Sequence, residues 1–576
     1  MRGLIKRVAL VAGAAVVLLG LAVGMADAVP GGTWGTAEQV PGTANDNPNF
    51  PFASTSSVSC ASPGKCSAGG VDEDSSGNGQ AFVVSRVNGT WGTAVEVPGT
   101  AALNQGGYAQ INSVSCARAG NCSAGGYYTD SSGHFQGFVV SQVNGTWGTA
   151  IQVPGSAALN QGGNAQINSV SCGAVGNCSA AGFYVDSSGH FQAFVVSQVN
   201  GTWGTAVEVP GTAALNQGGF AGVIFSVSCA TAGNCSGGGQ YADSSGQGQA
   251  FVVSQVNGTW DTAEQVPGTT GGSAVWSVSC ATAGNCSAGG TGNNGQAFVV
   301  SQVNGTWGTA IEVPGSAALN QGGFAVIASM SCARAGNCSA GGGYTDSSGN
   351  IQAFVVSQVN GTWGTAIQVP GSAALNQGGF AYVASISCAP AGNCSAGYGY
   401  TDGSGRLQAF VVSQVNGTWG TAIQVPGTAA LNQGGYAQIN SVSCAPAGNC
   451  SAAGFYTDSS GIGQAFVVDK AAQFSGSEGI RSAVAPRCTK CRISSRWSRR
   501  ATAPCAHASG NVTSLLLPLP LRMLLQAPGI TGSRVIERAI SRWPGSGRPQ
   551  MPGSCRGLSR AGGYLSWFGP PARRAY

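Results

Sequence analysis

The chain has 576 residues, 94 of them glycine and only 8% charged, yet no Gly-x-y period or Pro-rich tract accompanies the glycine, so collagen is excluded and plain disorder disfavoured. The formal net charge of +5 sums unlike segments: residues 29–468 carry five basic side chains (Lys65, Arg86, Arg118, Arg334 and Arg406) against 16 acidic ones, and residues 469–576 carry 17 basic against three acidic. An acidic body does not neutralise phosphates, which removes nucleic acid from its partners.

In chain order, residues 1–28 read as a secretory signal peptide: Arg2, Lys6 and Arg7, then an apolar run from Val8 to Met25, then Ala26-Asp27-Ala28. Cleavage there predicts a secreted, extracellular protein beginning near Val29, with no membrane span. A retained anchor is the competing reading, since the apolar run is nearly long enough to cross a bilayer.

Residues 29–468 are dominated by internal repetition. A Gly-Thr-Trp motif recurs at Trp34, Trp91, Trp147, Trp203, Trp260, Trp307, Trp363 and Trp419, at spacings of 57, 56, 56, 57, 47, 56 and 56 residues. Each Trp is followed by a C-x5-C pair: Cys60 with Cys66, Cys116 with Cys122, Cys172 with Cys178, Cys229 with Cys235, Cys280 with Cys286, Cys332 with Cys338, Cys388 with Cys394, and Cys444 with Cys450. Eight Trp and eight Cys pairs define eight units.

One unit, read from Gln110, predicts four antiparallel strands: Ile111 to Cys116, Cys122 to Tyr128, Phe138 to Val143, and Thr146 to Val153. Asp130-Ser131-Ser132-Gly133 turns the second into the third. Asn144-Gly145, present in seven copies, turns the third into the fourth, because a type I′ turn needs positive φ at both central residues. Pro154-Gly155 ends the fourth strand, since proline lacks the amide that the ladder needs. Four strands per unit without helical periodicity predict an all-β fold, an eight-bladed β-propeller. A lone fourth strand, Trp34 to Val40, precedes the first Cys pair, and the last unit stops at Val468 after its third strand. The N-terminal segment is therefore expected to complete blade eight and close the ring, hiding the edges of an open stack.

The double glycine Gly125-Gly126, followed by Trp147 and Pro154, resembles the kelch repeat, found also in galactose-oxidase propellers. Three units depart from it with Ala181-Gly182, Ala396-Gly397 and Ala453-Gly454. The D-S-S-G turn is similar, with one residue more, to the Asp-box of sialidase-like propellers. Both resemblances imply a fold and not an activity.

A C-x5-C pair across the turn between strands one and two puts its side chains on neighbouring strands, close to disulfide range. Structural zinc sites favour shorter spacing and usually include histidine, so one disulfide per blade is expected, with no metal and no cofactor. The body's histidines, His134 and His190, share a loop-tip position with Asn78, Gln247, Asn350, Arg406 and Ile462, which argues against catalysis there. Sialidase chemistry needs clustered arginines, whereas Arg86, Arg118, Arg334 and Arg406 lie in four different units. No catalytic residue is assigned.

The D-S-S-G turns and the A-A-L-N-Q-G-G-x-A connectors should emerge on one face. Candidate ligand-binding residues there are Asn104, Gln105, Tyr108 and Asp130; Asn160 and Gln161; Asn216, Gln217 and Phe220; Asn320, Gln321 and Phe324; Asn376, Gln377 and Phe380; and Asn432, Gln433 and Tyr436. Amides, carboxylates and aromatic rings form the mix that binds sugars. The competing reading is that these residues serve their own turns. Asn164, which stands at the x position after Asn160 and Gln161, is not aromatic; the fifth unit shortens both loops (Thr269 to Ala274, Thr291 to Gly295), and the first replaces the connector with Ala44 to Phe52.

The N-G-T and N-C-S sites match the glycosylation pattern, but turn chemistry and the Cys loop account for them, and the Gly/Ala-rich composition argues for a bacterial source. Residues 469–576 read as a basic, low-order tail, with Pro518 and Pro520 breaking the apolar run Leu515 to Leu525. A zinc knuckle from Cys488, Cys491, Cys505 and His507, or a shifted reading frame, are the alternatives. The sequence thus predicts a monomeric, secreted, non-enzymatic binding or adhesion module for polysaccharide or another cell-surface polymer. A carbohydrate-active enzyme and a purely structural surface protein are the rival classes.

Overall fold

The computed structural model describes residues 32–43, 52–389, 393–446 and 448–471. The signal segment, most of the first unit's replaced connector, and the tail beyond residue 471 with its Cys/His group lie outside the described residues. Among the described residues no helix is long and apolar enough to cross a membrane.

The described chain is all-β, and its strands form eight antiparallel sheets. Blade two shows the pattern. Its innermost strand is Ala109–Arg118, followed outward by Asn121–Thr129 and Phe135–Val143. Asn144 and Gly145 take φ of 50° and 89°, and Asn88, Asn200, Asn257, Asn304, Asn360 and Asn416 repeat the left-handed geometry, as the hairpin reading requires.

The outermost strand differs from the expectation of one run from Thr146 to Val153. It is two stubs, Thr146–Trp147 and Ile151–Gln152, both paired with the third strand. Between them the amide of Ala150 leaves its own ladder and donates to Pro98 O of the preceding connector at 2.7 Å. The connectors also hold one turn of helix, such as Thr100–Leu103 and Ser156–Leu159, too short to produce a sequence period. Gly99 enters this turn at φ 88°, and a Cβ there would lie 2.5 Å from Thr149 Cγ2.

The ring closes as expected. Glu38 and Gln39 pair with Val467 and Phe466, and Trp34 bridges to Lys470. The strand they complete is Gly463–Lys470, two residues longer than the predicted end at Val468.

Every expected Cys pair forms a disulfide between the innermost and second strands of its own blade. Cys60 bonds to Cys66, Cys116 to Cys122, Cys172 to Cys178 and Cys229 to Cys235 in blades one to four. Cys280 bonds to Cys286, Cys332 to Cys338, Cys388 to Cys394 and Cys444 to Cys450 in blades five to eight. The two cysteines of each pair stand directly opposite in the strand register, as in Cys116 with Cys122, and the Cα atoms lie 3.9 to 4.0 Å apart throughout.

The core is a set of slabs between adjacent blades rather than a central mass. Ala81 and Val83 of blade one pack with Ile111, Val114 and Phe138 of blade two, and equivalent clusters repeat around the ring. A fully buried side chain such as Phe138 or Ile111 contributes about 1.5 to 3 kcal/mol. A second device joins the blades. The innermost strand is a sheet edge, so alternate amides have no ladder partner and must find one elsewhere. Ser57 and Ser59 of blade one accept from Val114 N and Cys116 N of blade two, each at 3.0 Å. The Ser-x-Ser-Cys motif repeats both bonds at all eight interfaces. At the closing interface Ser441 and Ser443 accept from Val58 N and Cys60 N at 3.1 and 2.8 Å.

Candidate functional site

The D-S-S-G turns and the connectors share one face, where Gly79 N donates to Gly107 O and Gly106 N to Thr129 O. The connector into blade two is thus held between the turns of blades one and two.

Asp130 spends its carboxylate locally. Its Oδ1 accepts from Ser132 N (2.9 Å) and His134 N (3.0 Å), and Oδ2 accepts from Gln136 Nε2 (2.9 Å). Burial alone would raise its pKa, but these hydrogen bonds outweigh it and hold the carboxyl below the usual range. Asp74, Asp186, Asp243, Asp346 and Asp402 are held low in the same way. A carboxylate so stabilised in its charged form is poorly suited to donate a proton near neutrality.

The amide of Gln136 continues the chain, its Oε1 accepting from Asn160 Nδ2 at 3.0 Å. Asn160 also donates to Phe135 O at 3.0 Å. Asn104, Asn216, Asn320, Asn376 and Asn432 make the equivalent pair of bonds, and all six asparagines are buried. The adjacent glutamines take the opposite side. Gln105, Gln161, Gln217, Gln321, Gln377 and Gln433 are exposed, each lying back on the carbonyl three residues earlier at 3.3 to 3.4 Å.

The aromatic connector residues divide too. Phe220, Phe324 and Tyr436 are 60%, 45% and 37% exposed, whereas Tyr108 and Phe380 are partly buried. Tyr108 stacks on Tyr127 with centroids 5.9 Å apart, and Tyr436 on Phe455 at 5.4 Å. Burial pushes the hydroxyls of Tyr108, Tyr127 and Tyr436 above the usual tyrosine value. Tyr127 and Phe455, which sequence reasoning passed over, are marked in the sequence by their place directly after the small-residue pairs Gly125-Gly126 and Ala453-Gly454. His134 and His190 lie over Gly163 and Gly219 of the next connectors, where a Cβ would come within 2.6 Å of either ring.

Blade one carries two departures. Asp72 occupies the position of Tyr128, Tyr184 and Tyr456 in the strand register, opposite Ala53. Burial, with repulsion from Glu73 and Asp74, pushes its carboxyl up to about 7. On the opposite, disulfide-bearing face, a cleft of about 370 Å³ between blades one and two is lined by Lys65, Arg86 and Asn144. Arg86 Nη2 meets Asp469 Oδ2 at 2.9 Å across the closure.

No known protein family matches the chain, and no curated protein matches it. Among solved structures, the WD40 domain of SCAP from fission yeast is 8% identical, over 76% of this chain and 98% of that one, with a TM-score of 0.39. A subtype N11 neuraminidase-like protein of flat-faced bat origin (H18N11) is 13% identical, over 76% and 93%, with a TM-score of 0.32. The lectin of Aleuria aurantia, described as a six-bladed β-propeller with a novel mode of fucose recognition, is 14% identical over 54% and 95%, at 0.29. These likenesses are too distant to transfer a ligand or an activity. The chain's own strands, paired as above, make it an eight-bladed β-propeller stapled once per blade.

Proposed function

We propose that the protein is a secreted, non-enzymatic binding module that holds a polysaccharide, or another extracellular polymer rich in hydroxyl groups, through several equivalent weak sites on the loop face. The observation that carries this reading is the repeated exposure of an amide and, three residues on, an aromatic ring in the same connector: Gln217 and Phe220, Gln321 and Phe324, Gln433 and Tyr436. A planar amide offers both donors and acceptors to sugar hydroxyls, and a ring offers a face to their C–H groups. In this reading the glutamines and rings touch the polymer. The buried asparagines and the carboxylates, Asp130 among them, hold the loops that present them. Repetition suits a polymer, since linked sites raise avidity without a strong individual contact.

An enzymatic reading has one specific support. Asp72 stands where blades two, three and eight carry Tyr128, Tyr184 and Tyr456, and burial pushes its carboxyl up to about 7, the range of a general acid or base.

The test is retention of the secreted chain on insoluble polysaccharides and bacterial cell walls, with free sugar as competitor. Retention released by one sugar is expected. Replacing Gln217 and Phe220 together with alanine should weaken it by a fraction, because the exposed pairs Gln321 with Phe324 and Gln433 with Tyr436 remain. No retention by folded protein on any matrix overturns the reading and leaves a purely structural role.

A further inference from the structure

The two faces of the ring differ in charge. On the loop face seven of the eight blades turn on an aspartate, such as Asp130 in blade two, and blade one adds Asp72 and Glu73, against Arg406. At the opposite, disulfide-bearing end, Lys65 opens the second strand of blade one, and Arg118 and Arg334 close the innermost strands of blades two and six. These three cations are exposed, and none forms an ion pair among the described residues. One exposed carboxylate, Asp261, follows the hairpin of blade four on that side.

The same face carries a belt of valines. In blades one to six the third strand ends on Val87, Val143, Val199, Val256, Val303 and Val359, which are 48 to 60% exposed. Each precedes an Asn-Gly turn, and in blade two Gly145 N ties that turn to Gly120 O of the disulfide loop at 2.7 Å. A single exposed aliphatic side chain is ordinary. Six at one register position on one face, with Val175 of blade three also 46% exposed in its disulfide loop, form a repeated apolar surface of the kind that marks a contact. Valine and cation also meet: Val87 and Lys65 line the cleft between blades one and two, and Val303 and Arg334 line the corresponding groove between blades five and six.

A third observation is where the chain leaves the ring. The last strand ends at Lys470, opposite Cys450, so Ala471 departs on this face. The residues that follow it carry 16 basic side chains against two acidic.

We propose that the disulfide-bearing face docks on a bilayer of anionic phospholipid, with the valines in the headgroup layer and Lys65, Arg118 and Arg334 at the phosphates. Peripheral binding of this kind scales with buried apolar area plus attraction to anionic lipid. The acidic loop face does not oppose it. Strands of nine residues separate the faces, about 25 Å of extended chain, whereas fields decay over about 8 Å at physiological ionic strength. The docked ring turns its loop face away from the membrane, and the proposal uses none of the residues of the loop-face reading.

The experiment is flotation of the secreted chain with vesicles of phosphatidylcholine alone and of phosphatidylcholine with about a third phosphatidylglycerol. The protein should float with the anionic vesicles and not with the neutral ones. Lys65→Gln, Arg118→Gln and Arg334→Gln together should weaken partitioning roughly a hundredfold. Val143→Ser, Val199→Ser and Val303→Ser together should weaken it severalfold and leave its salt dependence intact. All six positions are exposed, and a thermal melt checks that both variants are folded. No flotation with anionic vesicles, equal flotation with neutral ones, or flotation that neither set of substitutions changes overturns the proposal. Gln217→Ala with Phe220→Ala should leave flotation as it is, and retention on insoluble polysaccharide, read separately, decides the loop-face reading.

Discussion

Six of the eight blade interfaces carry a neutral bridge in the third-strand layer, and the closing interface carries a charged one. Gln142 Nε2 donates to Ser85 Oγ of the preceding blade at 2.9 Å, and Gln198, Gln255, Gln302, Gln358 and Gln414 repeat this at 2.8 to 3.1 Å. At the closure Arg86 takes the place of glutamine and Asp469 that of serine. Trp91 Nε1 and Ser451 Oγ also donate to the Asp469 carboxylate. An amide on a hydroxyl satisfies two buried dipoles without removing charge from water, whereas the ion pair must recover its own desolvation. Burial in fact raises the Asp469 pKa, against the lowering pull of Ser451, Arg86 and Trp91. The joint between distant parts of the chain is therefore specific to its own partner and more conditional than its neighbours.

The sharpest way to break this comparison is to convert one kind of interface into the other. Asp469→Ser alone strands Arg86 in a largely buried position, and we expect a loss on the order of 3 kcal/mol in denaturant titration. Arg86→Gln together with Asp469→Ser rebuilds the ordinary bridge, and most of that loss should return. A double variant no more stable than Asp469→Ser would show that the seam is not equivalent to its neighbours in geometry.

A second prediction uses the layer in which the seam does not differ. Ser113→Ala deprives Val170 N, and Ser441→Ala deprives Val58 N, of the same buried acceptor. Each should cost about 1 to 3 kcal/mol, and equally. A clearly larger loss at Ser441 in the same measurement would mean that closure depends on the innermost strands as well.

The smallest effect is expected at Asp72, beside the seam in blade one. Its folded pKa, raised to about 7, lies above the ordinary aspartate value of 3.8. The folded state thus holds the proton more tightly than the unfolded chain, and stability falls as pH rises from about 4 through 7. Asp72→Asn should leave the protein unchanged near pH 4 and more stable at pH 8, by about 1 to 2 kcal/mol once partial exposure is allowed for. Melting curves at the two pH values that differ equally between variant and parent would contradict this.

Most of the fold could be read from the sequence because its signals are local and periodic. The Asn-Gly turns, the Trp spacing and the Cys pairs each report on a few neighbouring residues, and eight copies remove ambiguity. What escaped depends on contacts between units. The serines of Ser-x-Ser-Cys look like ordinary polar strand positions until Val114 N, 57 residues from Ser57, arrives as the donor. Asp469 and Lys470 read as the start of a basic tail, although they stand where other units have Ser-Gln. In the connectors, Asn104 and Gln105 are indistinguishable as binding candidates. One turn of helix sends the first inward and leaves the second in water. The residue at each bulge, such as Asn112 between Ile111 and Ser113, was hidden for a related reason: the bulge shifts the inside-outside alternation by one residue, so simple alternation assigns its side chain to the wrong face.

The disulfides have a mechanical consequence. Each joins residues six apart within one blade, and among the described residues none passes from one blade to the next. Under tension the covalent bridges therefore do not hold the ring together. The fastening formed by Glu38 and Gln39 on the last strand bears the load first, and once it yields the blades peel away in turn. Each released blade keeps its stapled strand pair, a local template from which it can re-form when the force is removed.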